Sequence, residues 1–101
     1  MRIVYLTCKD IDEAKKISKH LIKKKLVACS NIFPINSIYP WENEIKEDNE
    51  VVVLLKTNND YEKVEAGIKK IHSYDIPAIY SWVVDKINKD YFDWINKVQQ
   101  K

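Results

Sequence analysis

A chain of 101 residues that is 46% apolar and 32% charged can bury a single core, and it leaves no room for a long disordered tail. The net charge is only +2, and every cation but Arg2 is a lysine, so the balance argues against a nucleic-acid partner. Cys8 and Cys29 are too few for a disulfide framework, and Gly67, the single glycine, rules out phosphate-cradling loops that need several. With no signal-like or membrane-length apolar stretch, the expectation is one soluble, cytoplasmic domain over residues 1–101 with reduced thiols.

Ile3-Val4-Tyr5-Leu6 is an apolar run without helical period and predicts a buried first strand. Asp10 or Asp12 can cap the helix that follows, since a short carboxylate accepts from the free amides of a first turn. Ile11, Ala14, Ile17, Ser18, Leu21 and Ile22 recur every three or four residues and define its buried face. Lys15, Lys16, Lys19 and Lys23 lie opposite, and without interleaved aromatics or arginine they read as a solvated face.

From Leu26 to Trp41 the chain reads as extended, and Pro34 and Pro40 mark an edge, a bulge or a kink. The charged and Asn-rich stretch 43–49 predicts a hairpin tip, and 50–57 a second strand of that hairpin. Val51 through Leu55 are all apolar, which buries both faces of that strand, because side chains alternate across a sheet. Asn58, Asn59 and Asp60 supply a turn and a cap for a second helix through Tyr61, Val64, Ile68 and Ile71. Pro77 opens a last strand, 78–84, and Asp90 is expected to cap a third helix carrying Tyr91, Trp94, Ile95 and Val98. The order gives an α+β fold: a ferredoxin-like βαββαβ sandwich with an antiparallel sheet and an added C-terminal helix. Apolar residues on both parities of the strands leave one face uncovered, so self-association is expected unless the third helix covers it.

Ala28-Cys29-Ser30-Asn31-Ile32, Ser37-Ile38-Tyr39-Pro40-Trp41-Glu42, Glu50 through Thr57, His72-Ser73-Tyr74-Asp75-Ile76-Pro77 and Asp90-Tyr91-Phe92-Asp93-Trp94-Ile95 follow one another in an order that resembles the divalent-cation tolerance family, CutA. The resemblance covers essentially the whole chain. It implies a homotrimer, similar to that of the PII signalling proteins, in which strands of neighbouring subunits continue each other's sheets. It also implies a link to tolerance of copper and other divalent cations, by binding or sensing and without enzymatic activity. A small metabolite in an inter-subunit cleft is the alternative. The family's copper ligands are a first-strand cysteine and histidine at its HPY motif, but here Leu6 stands at the matching strand position, and the residue before His72 is Ile71. Cys8 shares the side of Leu6 only if the strand persists that far.

His72 is the candidate metal ligand, since neutral imidazole suits copper and zinc; the competing reading is a histidine that closes the second helix. Lys56 and Thr57 are expected beside Tyr39 and Trp41 of the hairpin partner. With Glu42, His72 and Tyr74 they would line the cleft between subunits and suit a small anionic or planar ligand. Equally open is an interface core of aromatics, with Lys56 paired to Glu50 or Asp75. The acidic residues near the tip read as a solvated turn, without calcium-loop spacing. Rival functions on this fold lack their residues: no basic-aromatic RNA motif on the third strand, no phosphate loop with its arginine, no CxxC after the first strand.

Overall fold

A computed structural model describes residues 1–100. In chain order the elements are β1 (Arg2–Cys8), α1 (Ile11–Lys23), β2 (Cys29–Trp41), β3 (Glu44–Thr57), α2 (Tyr61–Lys69), β4 (Ile79–Val83) and α3 (Lys89–Gln99). One antiparallel sheet runs β2-β3-β1-β4, the ferredoxin-like arrangement with an added helix. Among the described residues no helix is long and apolar enough to cross a membrane.

Alternation along the strands explains the core. Val4, Leu6 and Cys8 of β1 pair with Leu55, Val53 and Val51 of β3, and this parity faces α1 and α2. Ala14, Ile17 and Leu21 of α1 and Val64 and Ile68 of α2 complete the cluster, all fully buried. The other parity, with Tyr5, Leu54, Lys56, Tyr80 and Trp82, forms the opposite, open face. Tyr5 stacks on Tyr80 there, with ring centroids 4.5 Å apart.

Local chemistry fixes the joints. Asp10 caps α1 by accepting from the Glu13 amide at 2.8 Å. The helix ends in a Schellman motif: the Leu26 amide donates to Leu21 O and the Lys25 amide to Ile22 O, both at 2.9 Å, with Lys25 at φ 60°. Gly67 sits against this corner, where an added Cβ would stand 2.9 Å from Leu26 Cδ1 and 3.0 Å from Leu21 Cδ2. The lone glycine is thus the residue that lets α2 approach α1.

Two expectations need correction. The 43–49 stretch is not a loop: β3 begins at Glu44, and only Glu42 and Asn43, at φ 50° and 64°, make the turn. Backbone pairing is indifferent to side-chain charge, so a strand with solvent on both sides carries these residues without penalty. The cap of α3 is Asn88, and Asp90 lies in its first turn. The third helix covers only part of the open face. It lies at the Lys56 end, where Lys56 Nζ stands 5.5 Å from the Tyr91 ring centroid. Tyr80 and Trp82 remain 51% and 44% exposed. Pro34 and Pro40 fall on β2, an edge strand, as proline's missing donor requires.

Candidate functional site

β1 does persist to Cys8, so its thiol shares the side of Leu6 and is fully buried. Just beyond it, α1 brings in Glu13, and the segment after α2 brings in His72. Their donor atoms, one sulfur, one oxygen and one nitrogen, lie within 4.8 Å of one another. Sequence reading singled out His72 and left out Glu13. The missed signal was Asp10-x-x-Glu13, a pattern that turns a glutamate back toward the start of its helix.

Hydrogen bonds hold the three. Glu13 Oε1 accepts from the Lys9 amide at 3.1 Å and Oε2 from the Ser73 amide at 3.0 Å. Burial pushes this carboxyl up, but the bonds from Ser73 and Lys9 and the neighbouring His72 outweigh it and hold Glu13 below its ordinary value. The Tyr74 amide donates to His72 Nδ1 at 3.0 Å, which leaves the ring proton on Nε2, 2.8 Å from Thr7 O. Burial, then the carboxylates of Glu13, Asp10 and Glu50, push the Cys8 thiol up to about 12. It is a protonated thiol at neutral pH and no free nucleophile. A metal that bound it would displace its proton. Sulfur, imidazole and carboxylate in one cluster fit a copper- or zinc-class cation.

Of the other expected site residues Tyr74 joins His72, with ring centroids 4.8 Å apart, but the rest do not converge within one subunit. Lys56 pairs with Cys29, whereas Tyr39 pairs with Lys46 and Trp41 with Glu44. Ten residues of strand therefore separate Lys56 from the partner of Tyr39, about 33 Å of ladder. The expectation that these groups sit side by side fails because the hairpin is far longer than its apolar run suggested. Glu42 lies in the turn at its far end. Thr57 is fully buried and cannot line a cleft: its hydroxyl donates to Leu26 O at 2.7 Å and accepts from the Asn59 amide and Gln99 Nε2. Lys56 meets Tyr91 rather than Glu50, whose carboxylate accepts from the Tyr74 hydroxyl at 2.6 Å.

A ferredoxin-like sheet with a projecting two-stranded arm is now joined to a sequence profile. That of the CutA1 divalent ion tolerance proteins matches residues 2–98. The chain belongs to this family. The divalent-cation tolerance protein CutA of Pyrococcus horikoshii is 42% identical over the full length of both chains. The structure described as the periplasmic divalent cation tolerance protein CutA of Archaeoglobus fulgidus superposes with a TM-score of 0.93 at 35% identity, covering 99% of this chain and all of that one. A PII-like CutA protein of Nostoc in its apo form gives 0.88 at 25% identity, covering 99% of this chain and 98% of the other. Both structures share the fold of this chain over essentially its whole length.

Proposed function

We propose that the protein is a cytoplasmic homotrimer that serves divalent-metal tolerance, copper included, by binding or sensing the ion rather than by catalysis. The observation that carries this reading is apolar surface with no partner in the subunit. Ile45, Ile38 and Trp41 on the arm are 80%, 66% and 54% exposed, and Tyr80 and Trp82 add to them on the open face. Soluble chains seldom leave so much apolar area to water, and a second copy has the matching strands to cover it. The cluster of Cys8, Glu13 and His72 supplies donors for the ion. Two free cysteines fit a reducing compartment.

A second reading, a PII-like module that takes a small metabolite between subunits, is favoured by the hairpin register. Within one subunit the register keeps Tyr39, Trp41 and Glu42 far from Lys56, so only the arm of another copy can bring them beside it. Native mass spectrometry, with and without copper, tests both. A trimer that takes up one copper per subunit is expected, and a monomer at micromolar concentration overturns the assembly. Thermal stabilisation of a trimer by a nucleotide or organic acid, with no response to metal, selects the second reading.

A further inference from the structure

The way His72 is held makes metal binding at Cys8, Glu13 and His72 incompatible with the present hydrogen bonding of the segment that follows. Nδ1 accepts from the Tyr74 amide, and Nε2 carries the ring proton toward Thr7 O. A metal on Nδ1 takes the lone pair that the Tyr74 amide uses. A metal on Nε2 sends the ring proton to Nδ1, where it would face the Tyr74 N–H donor to donor. Either mode loses the Tyr74–His72 bond. Glu13 is under no such constraint, because each carboxylate oxygen keeps a lone pair beyond the one given to Lys9 or Ser73.

Distances say which part must move. The donors lie up to 4.8 Å apart. A tetrahedral centre with bonds near the usual lengths brings them to roughly 3.3–3.6 Å, so the cluster closes by about 1 Å. Cys8 belongs to the core cluster and Glu13 to the first turn of α1, both held fast. His72 stands on the short connection between α2 and β4, where its own amide donates to Ile68 O at 3.0 Å; beyond it Ile76 is 88% exposed, and the ties are the Glu13, His72 and Glu50 contacts already given. Tyr74 is the far end of this connection's hold, through its hydroxyl on Glu50 of β3, a residue on the open-face parity.

We infer that a zinc- or copper-class divalent cation held by Cys8, Glu13 and His72 unlatches Tyr74 from His72, so that occupancy of the buried cluster is passed through the 73–78 connection to Glu50 on the open face of the sheet. This rests on the metal-binding reading above and goes beyond it in naming the part that moves and where the change is passed. On binding, the thiol proton of Cys8 leaves to solvent and no electron is transferred when the probe is zinc or cobalt.

The whole protein is titrated with cobalt(II) as the optical probe and zinc(II) as the silent one. Cobalt is expected to give a sulfur-to-metal charge-transfer band and tetrahedral d–d bands at one ion per subunit, both lost in Cys8→Ser and weakened in Glu13→Gln. Circular dichroism of each variant reports that it has folded. Zinc is expected to speed hydrogen exchange of the Tyr74 amide by about tenfold while the amides of β1 and β3 keep their protection. Metal uptake without the sulfur band overturns the ligand set but leaves metal binding standing. No uptake by a trimer overturns the metal reading as well. The sulfur band with an unchanged Tyr74 amide overturns the unlatching alone.

Discussion

Val53 and Ile45 lie on the same face of the same strand, yet one is fully buried and the other is 80% exposed. The ladder between β2 and β3 is continuous from Cys29–Lys56 to Trp41–Glu44, so backbone pairing does not distinguish its two halves. What distinguishes them is the helices. α1 and α2 cover the inner half, where Val51, Val53 and Leu55 pack with Ile17, Leu21 and Ile68. Past Glu50 the hairpin leaves the body and stretches the molecule to 47 Å on its long axis. A two-stranded ribbon is marginal by itself in water. An outer half that keeps Ile38, Trp41 and Ile45 fits the proposed assembly, in which another copy covers it.

The sharpest contrast is between cavities in the two halves. Leu55→Ala, in the covered half, is expected to lower stability by about 2–5 kcal/mol in chemical denaturation, at any protein concentration. Ile45→Ala should lose roughly 2 kcal/mol only when copies assemble over it, and a few tenths when the chain is dilute and free. Equal, small losses for Ile45→Ala at all concentrations would mean that the arm stays in water and would break the comparison. A smaller effect is expected at the turn. Glu42 adopts a left-handed conformation that disfavours a side chain, so Glu42→Gly should stabilise the hairpin by about 1 kcal/mol in thermal melts. Destabilisation would show that the Glu42 side chain has a partner in the assembly.

The finest probe lies at the boundary of the halves, where Tyr74 holds Glu50 and Ser73 holds Glu13. Glu13 sits below its ordinary value of about 4.5 when folded. Its contribution is therefore present above that value and is lost as pH falls through the lower, folded one. Glu13→Gln should lower stability at neutral pH and flatten the acid limb, so that the variant and the parent converge at low pH. Identical acid limbs would show that other carboxylates drive the loss.

Periodicity and capping chemistry carried the elements. The apolar face of α1, its Asp10 cap, the burial of Val51, Val52, Val53 and Leu55 and the edge placement of Pro34 and Pro40 all follow from residue type and spacing. These are local effects or consequences of alternation, and a sequence displays them directly. The length of the hairpin arm escaped, because charge on Lys46, Glu47 and Asp48 marks a solvated side chain and says nothing about whether the backbone beneath it is paired. So did the burial of Thr57, which depends on Leu26 and Gln99 arriving from elsewhere in the chain.

The sequence by itself thus determined the α+β order, the family and an excess of apolar strand surface. Only the tertiary structure decided which groups meet. Cys8, Glu13 and His72 come from the end of a strand, the start of a helix and a connection some sixty residues further on, and no spacing rule joins them. Their meeting depends on β1 reaching Cys8 and on α2 ending beside α1. Those are matters of packing between elements, and Gly67, by letting the helices close, helps to set them.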